Sequence, residues 1–445
     1  MRIFLLACLF FSAQYSAGQL LGTSPYSALG LGDPINGDAS RYFSMGGTSA
    51  ALSDGYNINL ANPASYARLK LTNFDIGVIH TNLNQQQGDM SYENGYTAFN
   101  YMIASFPLYN NLGLVMGIRP HTTRGFNINI TESHSGIGSN GGDLQTTTRF
   151  QGSGGLNNVI LGTGWSPFTG LSVGVNAHYF FGSNRDFISI NFDDLTNAVS
   201  TRIEREVNVS SWQFETGVQY YREIRGIEYG IGGTYRFGNT LNQTLTEQIL
   251  TYRQTANQPR PLDTILSRID EPIGGYLASA LSLGLSIGKR GEERPEQYGW
   301  SLGVDYQRTM GSEFSSPVSL NRGQFVDATR YSAGATLIPA LAFKSLDRTK
   351  KFWDRTEYRI GIFRDEGTIM TDDTQIGAFG TSFGVAIPLR NRNLAPGEAR
   401  NNMLNFSVSI GHRGTTDNNL VRENFTQFLI GITLSEKWFD KYKYR

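Results

Sequence analysis

From about residue 71 onward, apolar and small or polar residues alternate in one segment after another. In Leu171–Phe181 the odd positions (Leu171, Val173, Val175, Ala177, Tyr179) are apolar, and Ser172, Gly174, Asn176 and His178 lie between them. Leu281, Leu283, Leu285 and Ile287 alternate with Ser282, Gly284, Ser286 and Gly288. Leu404, Phe406, Val408 and Ile410 do the same with Asn405, Ser407, Ser409 and Gly411, and Phe428 to Leu434 repeats the pattern. Period two with one apolar face is the signature of a β-strand.

About fourteen such segments start near residues 71, 91, 111, 153, 170, 208, 226, 275, 297, 328, 355, 375, 401 and 424. Most are long enough for the roughly 9–11 residues that a tilted membrane strand needs. Strands of soluble proteins are shorter, about five or six residues. The connections differ in length. Shorter ones fall at 107–111, 166–170, 222–226, 290–297, 343–354 and 389–401, and the longest at 122–152, 183–208, 240–275 and 310–327. Short turns on one side and long loops on the other mark an outer-membrane barrel. An even strand count then puts both termini in the periplasm.

Trp165, Trp300, Trp353 and Trp438 all fall beside the expected periplasmic turns or terminus, and Trp212 lies near the outer end. Indole rings favour the membrane–water boundary, so this distribution reads as a girdle. The apolar faces carry few charges, as lipid exposure requires. An open sheet would leave unpaired backbone groups in hydrocarbon, so the sheet must close. The expected fold is all-β: a transmembrane antiparallel barrel of about 14 strands over residues 71–439, in contact with outer-membrane lipid, followed by a short periplasmic tail at 440–445.

The first residues, MRIFLLACLFFSAQYSAGQ, combine Arg2 with an apolar run from Ile3 to Phe11 and small residues at Ser16 and Gly18. This reads as an export signal over 1–18, too short for a membrane helix. Leu5-Leu-Ala-Cys8 loosely resembles a lipoprotein box, but the apolar run continues past it. Cys8 is the only cysteine, so a mature chain cut near Gly18 has no thiol for a disulfide, a metal site or catalysis. The 38 basic and 38 acidic residues balance, which gives no reason to expect nucleic acid as a partner.

Several motifs suggest chemistry without the context that chemistry needs. Gly136-Ile-Gly138-Ser-Asn-Gly141 lies in a polar loop, with no strand before it and no helix after it. Gly-x-Ser-x-Gly occurs at 170–174, 284–288, 299–303 and 380–384, always within or at the ends of alternating segments. A hydrolase elbow needs a sharp strand-to-helix turn. Here, small inward residues alternating with large outward ones produce the motif. His80, His121, His134, His178 and His412 show no ligand spacing, and His178 is expected to face the lumen. Asp193-Asp194 and Asp372-Asp373 read as solvated loop charge. No metal, cofactor or enzymatic step is expected.

A fourteen-strand barrel is too wide to be filled by its own side chains. The inward residues here are largely Gly, Ser, Ala, Thr and Asn, which leaves more room still. The segment 19–70 is therefore expected to form a plug in the lumen. Its glycines permit tight bends, Met45–Leu52 suggests one short helix, and Tyr42, Phe43, Met45, Leu52, Leu60 and Tyr66 are apolar anchors. Pro63 disfavours helix at Asn62, whose side chain suits a turn cap.

Met45-Gly-Gly-Thr-Ser-Ala-Ala-Leu-Ser-Asp54, followed by Asn62-Pro63-Ala64, resembles the amino-terminal hatch of the FadL/TodX family of outer-membrane channels for hydrophobic compounds. The resemblance makes Gly46, Gly47, Asp54, Asn62, Pro63 and Ala64 the hatch motif. It implies hatch-gated, passive uptake of a long-chain fatty acid-like small molecule, with sideways release near the third strand, where Pro120 would disrupt the wall. It identifies no ligand-contacting residues. PorV-type relatives of this fold serve protein secretion. The alternative function is therefore a binding or scaffold barrel with a protein partner in a secretion or assembly complex.

Overall fold

The computed structural model describes residues 24–109, 111–136, 143–192, 199–253, 260–291, 298–317, 324–339, 352–389 and 402–436. The expected signal at 1–18, the tail at 440–445, Trp438 and Asp193-Asp194 lie outside the described residues. Fourteen antiparallel strands form the wall: β1 (Thr72–Gln87), β2 (Met90–Tyr109), β3 (Leu112–His134), β4 (Leu144–Phe168), β5 (Leu171–Phe192), β6 (Val199–Ile224), β7 (Ile227–Arg236), β8 (Ala280–Arg290), β9 (Tyr298–Thr309), β10 (Ala328–Leu337), β11 (Glu357–Asp365), β12 (Ala378–Pro388), β13 (Met403–Arg413) and β14 (Arg422–Glu436). Each pairs with the next, and β14 returns to β1 through Phe74↔Leu434 and Ile76↔Ile432, so the barrel closes. The alternation sets the two faces. Ile76, Leu283, Leu285, Val304, Ile360 and Ile430 are exposed on the outside, as a lipid-facing band requires.

The strand starts lie close to the sequence expectation, except that β4 and β6 begin at Leu144 and Val199 instead of near 153 and 208. The segments 122–152 and 183–208 were expected to be mainly loop, but they carry the far ends of β3 to β6. Residues 240–275 were also expected to be loop. They form a hairpin, Gln243–Arg253 and Arg260–Ile273, whose first strand pairs with β6 from Val199 to Val209. Above the lipid neither face has to be apolar, so these strands lose their hydropathy signal while their backbones still pair.

The plug occupies the lumen along its length. Glu436 pairs with Thr72 at one end of the barrel, where the plug leaves to enter β1. The described chain begins at the other end: the Tyr26 hydroxyl donates to Val421 O, between β13 and β14, at 2.6 Å. Tyr26 and Leu29 pack there with Ile369, Ile376 and Leu420. Tyr42, Phe43, Met45, Leu52, Leu60 and Tyr66 form the mid-lumen core with Tyr101, Ile103, Val115 and Ile160 of the wall. The expected helix at Met45–Leu52 is displaced. It covers Ser40–Phe43, and Gly46 and Gly47, at φ +71° and +87°, end it in the left-handed region.

The seat of the plug is glycine. Gly113, Gly164, Gly174 and Gly217 lie in register across β3 to β6. A Cβ at Gly174 would fall 2.4 Å from the Pro63 carbonyl carbon, one at Gly113 would fall 2.1 Å from Tyr66 O, and one at Gly217 would fall 2.2 Å from Asn62 Oδ1. On the opposite wall, Gly232 and Gly284 meet Ala50, and Gly334 and Gly361 meet Met45. The repeated Gly-x-Ser-x-Gly motif belongs to this seat: Gly174, Gly284, Gly303 and Gly384 all face plug atoms. Ser286 Oγ donates to Ala51 O at 2.8 Å, and Ser382 Oγ accepts from Gly46 N at 2.9 Å.

Replacing Gly174 with Val should lower the barrel's thermal stability by about 1–3 kcal/mol through overpacking. Gly274→Ala, at a position with nothing within 4 Å, should leave it unchanged. Loss of heat-resistant migration on denaturing gels reads both; equal behaviour would refute the tight seat.

Candidate functional site

The residues expected to form a hatch motif lie in the plug. Pro63 opens the short 3-10 helix Pro63–Arg68, and Asn62 caps it: Asn62 Oδ1 accepts from Ala64 N at 3.0 Å. Its Nδ2 donates to Ala50 O at 2.7 Å and reaches Val218 O on β6 at 3.3 Å, so one buried amide joins two plug segments to the wall. Ala64 is fully buried, and the Tyr66 hydroxyl donates to Asn176 Oδ1 of β5 at 3.1 Å.

Asp54 accepts from Tyr56 N at 2.9 Å and Asn57 N at 2.8 Å, shaping its own loop. It lies 3.2 Å from Arg41, which is also 2.9 Å from Glu357 on β11. Glu357 is in turn 2.8 Å from Arg359. Burial disfavours the Arg41 charge, but Glu357 and Asp54 outweigh it and hold its pKa above the ordinary arginine value. Three further contacts tie the plug to the wall by charge. Arg68 pairs with Glu228 of β7 at 3.0 Å, Asp33 with Arg413 of β13, and Asp38 stands 4.0 Å from Arg119 of β3. Arg124 of β3, paired with Asp186 at 2.6 Å, donates to the plug carbonyls of Ser27, Ala28 and Gly30. Glu228, Arg413, Arg119 and Arg124 carried no signal in the sequence beyond their inward register, because their partners are distant in the chain.

Inside the lumen, between plug residues 33–38, Gly47, Ser49 and Ala50 and the wall, lies a cavity of about 480 Å³. Its lining mixes charged residues, Arg119, Glu215, Arg236, Asp305, Arg330 and Asp365, with apolar ones such as Ile35, Ala50, Ile369 and Ile376. Arg236 is 3.2 Å from Glu215, and Arg330 is 3.2 Å from Asp365. Asp305 Oδ2 accepts from Ser49 N at 2.6 Å and Ala50 N at 2.8 Å. Burial pushes the Asp38 carboxyl above its ordinary range, against the opposing pull of Arg119 and Arg330. His178 faces the lumen. Its ring nitrogens meet Asn158 at 3.1 Å and Glu215 at 3.3 Å, so its partners are an amide and a carboxylate. Asp372 and Asp373, at φ +48° and +58°, form a tight turn. Among the described residues no group of three His, Cys, Asp or Glu is placed to hold a metal ion.

The wall is unevenly paired at the third strand. The β2–β3 ladder runs from Tyr109↔Leu112 to Met102↔Ile118 and, among the described residues, goes no further. Arg119 and Pro120 stand just past its end, and the β3–β4 register shifts between Pro120 and Thr122. On β2 the matching point is Asn100, skipped by the β1 register and fully buried with neither amide atom hydrogen-bonded. The plug lines this seam. Asp33 and Pro34 pair with Thr123 and Thr122, and Ile35 N–H donates to His121 O at 3.0 Å.

The model of the BamG family matches residues 1–445, the whole chain. The chain belongs to the BamG family. A comparison with curated proteins finds no match. Among solved structures, this BamG-family barrel is similar to the Ralstonia pickettii toluene transporter TbuX, at TM-score 0.53 and 16% identity over 89% of this chain and 98% of that one. A Pseudomonas aeruginosa FadL homologue aligns at TM-score 0.52 and 10% identity, covering 92% of this chain and 100% of that one. The Pseudomonas putida toluene transporter TodX aligns at TM-score 0.51 and 14% identity, covering 91% and 99%. At these identities the likeness concerns the fold: a FadL/TodX-type plugged barrel of the outer membrane.

Replacing Arg41 with Ala would leave Asp54 and Glu357 without their shared cation. Stripping a buried ion pair of one partner costs about 3–5 kcal/mol. The expected result in a planar bilayer is a silent wild-type barrel and an Arg41→Ala variant with frequent ion-conducting openings. Silence in both would mean that the charges do not hold the plug. Asn62→Ala, which removes buried hydrogen bonds at about 1–3 kcal/mol of cost, should act in the same direction and more weakly.

Proposed function

We propose that this protein is a non-enzymatic outer-membrane barrel that serves as a binding or scaffold component of a protein assembly or secretion complex. The observation that carries this reading is the chemistry of the lumen. An apolar solute gains roughly 0.8 kcal/mol per methylene on leaving water for a greasy pocket. The cavity between plug and wall instead sets Arg119, Arg236, Arg330, Glu215, Asp305 and Asp365 beside apolar Ile35, Ile369 and Ile376, so an apolar solute entering it would have to desolvate charges and would gain less. The plug is held to β3, β7, β11 and β13 by ion pairs, and a plug movement that opened the lumen would break pairs among them. Membership of the BamG family, a PorV-like group, supports the same reading. The hatch motif then acts as a lock that lets the barrel stand in the membrane without leaking ions. The end bearing the tall strands β3 to β6 faces the cell exterior, following the usual asymmetry of outer-membrane barrels. The end where the plug enters β1 faces the periplasm.

One observation favours the uptake reading: the unclosed seam between β2 and β3 at Arg119-Pro120. In that reading a hydrophobic small molecule enters from outside and leaves sideways through the seam when the hatch moves.

Purification from outer membranes in mild detergent separates the two. The scaffold reading expects a stoichiometric protein partner, no acyl density in the lumen, and no saturable binding of a long-chain fatty acid. An isolated barrel that binds the fatty acid saturably, with density in the lumen, would replace it with the uptake reading.

A further inference from the structure

The strands β3 to β6, extended by the hairpin Gln243–Arg253 and Arg260–Ile273, form a tall curved wall at the far end of the barrel. Such a wall has two lateral edges, and here they differ. The edge on Arg260–Ile273 carries Pro261 and Pro272, a left-handed Asp270 at φ +50°, and three register shifts against its neighbour. These features keep an edge from pairing with other chains.

The edge on β3 carries none of them. From Thr122↔Leu156 to His134↔Leu144 its pairing with β4 is unbroken, and the stretch Phe126-Asn-Ile-Asn-Ile-Thr131 has no proline, glycine or lysine. Asn127 to Ser133 are exposed. Which backbone groups point outward follows from the plug. The N–H and C=O of Gly125 both meet Ser27 Oγ, at 3.1 and 3.0 Å, so they face away from β4. With the strand period of two, the N–H and C=O of Asn127, Asn129, Thr131 and Ser133 face the same way. Among the described residues no strand pairs with them there.

The molecule itself shows what this edge accepts. Just below, Asp33 and Pro34 of the plug add to it as a two-residue antiparallel strand against Thr123 and Thr122, and Ile35 N–H continues the contact to His121 O. A row of unpaired backbone donors and acceptors at ladder spacing is chemically matched by the backbone of another extended chain. Asn127 and Asn129 alternate with Ile128 and Ile130, so a paired strand would find amide side chains on one face and aliphatic ones on the other.

We propose that the β3 edge from Asn127 to Ser133 is a strand-addition site that takes an extended segment of a partner protein at the cell exterior. The incoming strand would sit directly above the plug's own added residues and lengthen the tall wall by one strand. This proposal rests on the scaffold reading, whose partner it says how to hold.

The test uses the full chain, tagged and expressed in its own outer membrane. Asn129 N–H faces the free edge, so Asn129→Pro removes a donor to the partner and no β3–β4 ladder bond. Asn129→Ala keeps that donor and removes only the side chain. Heat-resistant gel migration checks that each barrel is folded. The expected result is that wild type and Asn129→Ala retain the partner equally, while folded Asn129→Pro retains about tenfold less, as the loss of a backbone hydrogen bond and the stranding of its acceptor imply. Hydrogen exchange of the wild-type complex should be at least about tenfold slower at Asn127, Asn129 and Thr131 than in the barrel alone.

Retention by Asn129→Pro equal to wild type, or unchanged exchange at these amides, would overturn strand addition while leaving the scaffold reading in place. Equal loss in both variants would assign the contact to the side chain and overturn it too. An Asn129→Pro barrel that does not fold hands the decision to the exchange measurement. Absence of any partner on the wild-type barrel would remove the scaffold reading itself, and this proposal with it.

Discussion

The structure depends on the close approach of two backbones, that of the plug and that of the wall. A barrel this wide cannot fill itself, and a plug can fill it only if the inward side chains give way. They do so by being absent. Gly113, Gly164, Gly174 and Gly217 form a continuous floor under Pro63 and Tyr66, the pair Gly232 and Gly284 lies under Ala50, and the pair Gly334 and Gly361 lies under Met45. Contact at backbone range makes the rest possible. It lets Asn62 reach the carbonyls of β6 and β7, and it places Arg41 beside Glu357.

The same closeness bears on function. A plug held by ion pairs at four places around the wall is a poor gate for a molecule whose only driving force is its apolarity. It suits the proposed scaffold role, in which the barrel stays sealed. The neighbours TbuX and TodX are named for toluene transport, and their likeness to this chain is one of fold. The lumen chemistry follows from this chain's own residues: an apolar plug core around Tyr42, Met45 and Tyr66, with ion pairs to the wall beside it. In the proposed scaffold reading, the outer surfaces are where a partner would bind. Of the tall wall's two edges, only the one on Arg260–Ile273 is guarded against pairing.

The barrel was legible in the sequence wherever lipid touches it. The hydrocarbon demands an apolar residue at every second position, and segments such as Leu281–Ile287 meet that demand openly. Above the membrane the demand disappears, so the outer reaches of β3 to β6 and the hairpin at Gln243–Ile273 read as loop. The turns of the plug were legible through local chemistry: Asn62-Pro63 starts a capped turn within four residues, and Gly46-Gly47 ends a helix. The helix itself was placed a few residues late, because those two glycines were read as part of it instead of its stop. The four Gly-x-Ser-x-Gly motifs were visible as architecture, but what the glycines face was not.

The sequence alone determined the strand period, the approximate strand count and the presence of a compact insert ahead of β1. Each follows from chemistry repeated over a few neighbouring residues. The tertiary structure alone decided which charges meet: Arg41 with Glu357, Arg68 with Glu228, and Asp33 with Arg413 lie 160 or more residues apart and are joined only when the sheet closes around the plug. Closure also decided where the described β2–β3 ladder ends, just past Ile118 on β3. A strand's hydropathy records which face meets lipid but says nothing about which neighbour takes its hydrogen bonds.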